Sequence, residues 1–339
     1  MKLKKQFSDF YSSIRIDSEG EDLREKRRIL EEEIKDKLPH ILSNHGITIC
    51  KSDIRMFIQG SYKYNTTIKS DVVDMDVAVI LPLDICMNND PRKIKGYLRD
   101  AISIPSRTVS IKEPCVRASY FDAGEEWMHI DLPLYARTED AVYLARGKEY
   151  SDYVWETADP DGLNDWLLDK INRNDQLRRI ICFLKKWKNE KYKNASSDHE
   201  IPPSIGLTFL VIDKFVPCSS ENGDDDLLSL QKTMRAIKNA FSVSYNFNGD
   251  VVGADIARNL PVTPYKDIFT KMRLSSSNYL LTFYKRVCEA ETNLTNAVNV
   301  ESEHDAATYI QKVLGEQFEV PEKRAVSAST STKREHNFG

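Results

Sequence analysis

The sequence predicts an α+β chain in two lobes. A mixed-sheet lobe is expected over residues 1–155 and a helical lobe over 156–320. A tail, 321–339, follows with no fold of its own. Three observations lead there. Up to about Asp159, short apolar runs alternating with period two are interleaved with helical stretches. Beyond Asp159, strand alternation stops and helical period takes over. Within the first part, Gln59–Pro82 sets a Gly-Ser turn and a polar loop ahead of a strand carrying Asp74 and Asp76, one residue apart.

Taken in order, residues 21–46 read as a long amphipathic helix. Leu23, Leu30, Ile34, Leu38, Ile41 and Leu42 fall near helical spacing, and charges fill most other positions. Pro39 is expected to kink or break it, and Gly46 to stop it. Ile54–Ile58 is a short strand leading into the Gly-Ser turn, and Val73–Leu81 is the strand that follows the loop. Asp90–Ile104 is a helix with Pro91 in its first turn. Arg107–Ile111 and Cys115–Phe121 alternate like a hairpin whose join Pro114 limits. Gly124–Glu126 is a turn before one strand, Met128–Tyr135.

In the second part the expected helices are 161–171, 175–193, 203–216, 224–241, 275–298 and 301–314, with a polar loop at 194–202 and an irregular one at 246–264. The tail, 321–339, is rich in Ser, Thr, Lys and Ala without apolar period, a composition that does not build a core.

The chemistry concentrates in the Gln59–Pro82 stretch. Alternation puts Asp74 and Asp76 on one face of their strand. Two such carboxylates resist joint ionisation, and a divalent cation relieves the repulsion, with oxygen ligands suiting Mg²⁺. Gly60 and Ser61 offer a tight turn, backbone N–H groups and a hydroxyl, the elements of a triphosphate cradle. A lone acid-x-acid pair says little: with 52 acids in 339 residues, chance alone gives about eight. The order of turn, loop and strand says more, together with Asp131, the one acid of the Met128–Tyr135 strand. Laid beside the first strand, it completes a three-carboxylate cluster.

The segments QGSYKYNTTI, DMDVAVILP, HIDLPLYA, FLKKWK and PPSIGL, in this order, resemble the bacterial CD-NTases. These are polymerase-β-like nucleotidyltransferases related to the cyclic GMP-AMP and oligoadenylate synthases of animals. The likeness covers about residues 5–315 and is nearest to the dinucleotide-cyclase type. It implies a polymerase-β-like nucleotidyltransferase lobe, with the 21–46 helix bracing both lobes and the helical lobe closing the cleft. Asp74, Asp76 and Asp131 are then the catalytic and metal-holding residues, carrying two Mg²⁺ ions for which Mn²⁺ can substitute. Gln59, Gly60, Ser61 and Tyr64 match nucleotide contacts, as do Lys185 before Trp187 and Ser204 at a helix start. Lys186 and Lys188 are expected to face solvent. Tyr64 can equally be a half-buried loop aromatic, and Ser204 an ordinary N-cap. Arg117, on the strand before Asp131, is a nucleotide contact or a surface ion-pair member. His129 shares the face of Asp131 and is either a proton carrier near the metals or a packed or hydrogen-bonded strand histidine, the second being favoured since two-metal transfer requires no histidine.

The resemblance implies ATP and GTP as substrates and a cyclic dinucleotide as product, in CBASS anti-phage signalling. It also implies a C-terminal conjugation handle at Gly339, for which a ragged end is the alternative. A linear nucleotidyltransferase and a nucleotide-binding signalling protein stay open. Composition narrows the field further. Net charge is −4, against a general nucleic-acid binder. No apolar run spans a membrane, and the N-terminus has no apolar signal segment. Six scattered cysteines without metal spacing fit a reduced, cytoplasmic protein.

Overall fold

Two large hydrophobic cores organise the computed structural model, which describes residues 2–16, 20–69 and 72–323. The first lies between a sheet and two helices. Its strands are β1 (Arg55–Gln59), β2 (Val73–Pro82), β3 (Thr108–Ile111), β4 (Val116–Asp122), β5 (Glu125–Leu132), β6 (Leu134–Arg137), β7 (Val142–Arg146) and β8 (Val154–Ala158). They run in the order β3-β4-β5-β2-β6-β7-β8, with β1 also paired to β2. Pairing of β2 with β5 and with β6 is parallel, and every other pair in this sheet is antiparallel. The sheet is therefore mixed, as the sequence predicts.

Alternation along β2 decides what each face does. Met75, Val77, Val79 and Leu81 are fully buried in the first core. Each contributes roughly 1.5–3 kcal/mol by leaving water. Their even-numbered neighbours Ala78 and Ile80 pack on the opposite face with Tyr135. Asp74 and Asp76 belong to that second face.

The helices on the first core are α2 (Glu21–Ser43) and, following the short turn α3 (Gly60–Lys63), α4 (Pro91–Ile102). Asp90 caps α4, its side chain accepting from Arg92 N at 3.0 Å, with Pro91 at the first helical position. Lys95 of α4 is buried and donates to the carbonyls of Lys112, Glu113 and Gly147 at 2.7, 2.8 and 2.6 Å. Three charge-assisted bonds tie the helix to two loops of the sheet and offset the cost of burying the ammonium.

Several expectations need correction. α2 runs unbroken through Pro39, because Leu38 and Leu42 on either side are fully buried and hold the last turn. Its buried residues all join the first core, so it lines one lobe instead of bracing two. The 128–135 strand is two strands split at Pro133, which cannot donate to the ladder. Glu125 and Glu126 lie within β5, leaving only Ala123 and Gly124 for the turn, both at positive φ. Strands β7 and β8 were not foreseen. β8 also carries the sheet to Ala158, past the expected boundary.

The second core is helical. It gathers α1 (Lys4–Ile14), α5 (Pro160–Ile171), α6 (Asp175–Tyr192), α7 (Ser204–Lys214), α8 (Asp226–Lys238), α9 (Thr270–Ser275), α10 (Ser277–Asn299) and α11 (Glu303–Leu314). Asp159 and Asn174 cap α5 and α6, accepting from Gly162 N at 2.8 Å and Leu177 N at 2.9 Å. Leu3, Phe7, Phe10 and Ile14 sit in this core, with Phe7 and Phe10 edge-on or tilted against Phe183 and Phe318. The first residues of the chain thus pack with the second lobe, against the expected division at residue 155. Two small hairpins complete it, β9 (Ser219–Ser220) with β10 (Gly223–Asp224), and β11 (Ser242–Tyr245) with β12 (Val251–Asp255). The second places a strand inside the stretch expected to be irregular. No helix of the described residues is long and apolar enough to cross a membrane. Residues 324–339, where the tail and the Gly339 handle were expected, lie outside the described residues.

Candidate active site

A cavity of about 410 Å³ opens where the two lobes meet. The sheet lobe supplies Gln59, Gly60, Ser61, Asp74, Asp76 and Tyr135 to its wall. Helices α5, α6 and α7 supply Leu163, Asn164, Leu167, Lys185, Ser204 and Thr208. The loop after α3 joins both sides: Tyr64 and Ile68 belong to the helical core, and Thr66 is buried at the junction.

Strand pairing places the acids. Gln59 of β1 and Asp131 of β5 are both register partners of Asp76, and Asp74 is opposite His129. Asp74, His129 and Asp131 bring ligand atoms within 4.8 Å of one another. Asp76 lies against the turn. A Cβ on Gly60 would come 2.2 Å from its Oδ2, and Gly60 has φ +71°. Glycine is the residue that meets both demands.

Burial raises the Asp76 carboxyl to about 8, and the charges of Asp74 and Asp131 push in the same direction. Side-chain cations partly offset this crowding. Arg117 forks onto Asp131, Nε to Oδ1 at 2.7 Å and Nη2 to Oδ2 at 2.8 Å. His129 bridges Asp74 through Nε2 at 3.0 Å and Glu126 through Nδ1 at 3.1 Å. Burial pulls His129 down, but the hydrogen bond and charge of Asp74 outweigh it and leave the imidazole above its usual range. An oxygen-rich cluster with one imidazole, crowded with like charge, fits a hard divalent cation by its donor chemistry.

The opposite wall is cationic. Lys185 is buried and donates to Thr66 O at 2.9 Å and Thr66 Oγ1 at 3.3 Å. Burial lowers its ammonium to about 8. Lys188 donates to Ser204 Oγ at 2.5 Å, and burial, followed by the charge of Lys185, lowers it to about 8 as well. Ser204 opens α7, whose first backbone N–H groups are natural anion donors.

The structure thus brings Gln59, Gly60, Ser61, Tyr64, Asp74, Asp76, Lys185 and Ser204 to one cavity. Asp131 joins the carboxylate cluster from the next strand. Three readings change. Lys188, at a solvent-accessible position, is engaged with Ser204 and not simply solvated, while Lys186 pairs with Glu190 at 2.8 Å. Tyr64 is only 4% exposed and its hydroxyl donates to Asn164 Oδ1, so it floors the cavity with its ring committed to the helical core. Arg117 is committed to Asp131. Asn164, Thr66, Tyr135 and Lys188 were missed. Lys188 lies three residues beyond Lys185, the spacing that shares a helix face. Nothing local marks the other three, which matter only because two lobes meet there.

Comparison with known proteins agrees with this geometry. Residues 54–135 match the family described as "Cyclic GMP-AMP synthase DncV-like, nucleotidyltransferase domain". A "Cyclic GMP-AMP synthase" of Escherichia albertii is 28% identical over 173 residues, which is 47% of this chain and 37% of that protein. The match thus spans little more than a third of the curated relative. Crystal structures of Vibrio cholerae DncV cyclic AMP-GMP synthase share the fold. The complex with the linear intermediate 5′ pppA(3′,5′)pG superposes with a TM-score of 0.70 at 16% identity, covering 94% of this chain and 96% of that one. The complex with nonhydrolyzable GTP gives 0.67 at 16% identity, covering 94% and 97%.

Proposed function

We propose that this chain, whose residues 54–135 match a DncV-like nucleotidyltransferase domain, joins ATP and GTP into a cyclic dinucleotide. The observation that carries the proposal is a cavity with same-face aspartates on one wall and Lys185 and Ser204 on the other, where Lys188 donates to Ser204 from beside it. It offers a place for a triphosphate between a cation site and an anion site.

Asp74, Asp76 and Asp131 would hold two Mg²⁺ ions, with Mn²⁺ able to substitute. When bound, the ions supply neutralisation of the phosphates and acidify the acceptor hydroxyl. The residues of the chain do the rest. Gly60 and Ser61 turn backbone N–H groups and a hydroxyl toward the donor phosphates. Lys185 and Lys188 hold the triphosphate from the helical side, with Ser204 and the α7 terminus. Asp131 takes the proton of the acceptor ribose hydroxyl at a carboxylate oxygen. That hydroxyl oxygen bonds to the donor α-phosphorus, the bond to the β-phosphate oxygen breaks, and pyrophosphate leaves. A second transfer within the bound linear product closes the ring. Gln59 from the sheet lobe and Asn164 from α5, both lining the cavity, orient a base.

The wider assignment follows from the sequence resemblance: a cytoplasmic CBASS synthase acting in anti-phage defence, with Gly339 as a substrate for conjugation machinery. A direct test is release of pyrophosphate from ATP plus GTP with and without MgCl₂. Metal-dependent release that requires both nucleotides supports the reading. No release with MgCl₂ or with MnCl₂ in its place, while ATP still binds, would move the chain to a binding-only role.

A further inference from the structure

We propose that Arg117 is a built-in counter-cation for the carboxylate cluster, a positioning residue that acts on Asp131 and does not contact the nucleotide. The inference rests on the metal-dependent reading of the same site.

The sheet builds the contact. Arg117 of β4 and Asp131 of β5 are direct cross-strand partners in an antiparallel pair. Their side chains therefore leave the same face at neighbouring positions. The guanidinium takes both oxygens of the carboxylate, at 2.7 and 2.8 Å, the bidentate fork that arginine makes and lysine cannot. Both groups are partly shielded, with side-chain exposures of 28% and 13%. Such a pair outlasts solvent screening better than a surface bridge.

The surroundings explain why a cation is needed there. Asp131 shares its register position with Asp76 and its ligand range with Asp74 and His129. Cys115 also lies by Asp131, and burial followed by that carboxylate keeps its thiol protonated, so it adds no further negative charge. His129 serves Asp74 and Glu126. Among the described residues Arg117 is thus the permanently charged group paired with Asp131, and neither residue lines the nucleotide cavity.

Two consequences separate this role from nucleotide binding. Without metal, Arg117 lowers the repulsion among the acids and stabilises the fold. On metal binding, Arg117 competes for the same oxygens and weakens the cation. Removing it should therefore destabilise the metal-free protein while tightening metal binding.

The test compares the full-length native protein with Arg117→Gln and Arg117→Lys. Each is freed of metal with EDTA and dialysed. Melting temperature is read with and without MnCl₂, Mn²⁺ affinity by electron paramagnetic resonance, and ATP affinity by titration in EDTA. Arg117→Gln is expected to melt lower without metal, to regain more on adding Mn²⁺ than the native protein does, and to bind Mn²⁺ about tenfold more tightly. That is the scale of one neighbouring charge in a partly solvated site. ATP affinity in EDTA is expected to stay within about twofold, since the cavity wall is untouched. Arg117→Lys keeps the charge without the fork and should fall between; it carries the comparison if the glutamine variant does not fold. Unchanged Mn²⁺ affinity with a loss of ATP affinity would overturn the proposal and make Arg117 a nucleotide ligand. No Mn²⁺ response in the native protein would overturn the metal-dependent reading together with this one.

Discussion

The carboxylate of Asp76 stands where a side chain on Gly60 would be, 2.2 Å from the position of its Cβ. The turn and the acid-bearing strand are therefore fitted to each other at one atom. Gly60→Ala must displace Asp76 or strain a backbone at φ +71°. The left-handed conformation costs roughly 1–2 kcal/mol for a residue with a Cβ. Displacement of a reacting carboxylate by about 1 Å costs on the order of a hundredfold in rate. The expected outcome is a modest fall in melting temperature with at least a hundredfold loss of turnover. Steady-state pyrophosphate release and a thermal melt check it together.

Lys185 and Lys188 give the site a pH limit. Burial lowers both ammonium groups to about 8, so each loses its charge as pH rises through that value. ATP affinity should be flat from pH 6 to about 7 and fall above 8, because the triphosphate loses its cationic partners. Lys185→Gln and Lys188→Gln should bind ATP weakly at every pH and show a shallower fall. Titration of metal-free protein with ATP across pH 6–9.5 reads this directly; affinity rising above pH 8 would contradict it.

Asp76 gives the opposite kind of pH dependence, in stability. Its folded carboxyl is raised to about 8 by burial and by Asp74 and Asp131, against about 3.9 in an unfolded chain. Between those values the folded chain keeps a proton that the unfolded chain has lost. Stability of the metal-free protein therefore falls as pH rises from about 4 to about 8 and levels off above. Asp76→Asn should flatten the slope. Melting curves in EDTA, native against variant, provide the check.

Tyr64→Phe separates floor from contact. The hydroxyl donates to the buried Asn164, and losing it leaves the amide oxygen without that partner, at a cost of about 1–2 kcal/mol. A role in base stacking would survive the change, since phenylalanine keeps the ring. Here the expected result is a lower melting temperature and a raised KM for nucleotide through a loosened Asn164. A variant that melts and turns over as the native protein does would return Tyr64 to a stacking role.

Much of this was legible because it is local. Alternation alone puts Asp74 and Asp76 on one face, and the two-lobe division followed from a change of period near Asp159. The unforeseen parts are set by distant residues. Pro39 is a poor helix residue by itself, yet Leu38 and Leu42 are buried against the sheet and keep the helix going. Phe7 and Phe10 looked like an unremarkable terminus, but they close on Phe183 and Phe318 across the second lobe. Lys188 reads as a surface lysine until α7 brings Ser204 to it. Arg117 had two readings from sequence, and only strand register selects Asp131 as its partner.

Synthesis of a cyclic nucleotide by Asp74, Asp76 and Asp131 can be read directly from the product. The most direct measurement incubates the purified full-length chain with MgCl₂ or MnCl₂ and all four labelled nucleoside triphosphates, treats the mixture with phosphatase, and identifies what survives by mass spectrometry. Asp74→Asn/Asp76→Asn runs beside it. The expected result is a phosphatase-resistant cyclic dinucleotide containing adenine and guanine, absent from the double variant. Linear, phosphatase-sensitive products, or a resistant product that persists in the variant, would contradict it.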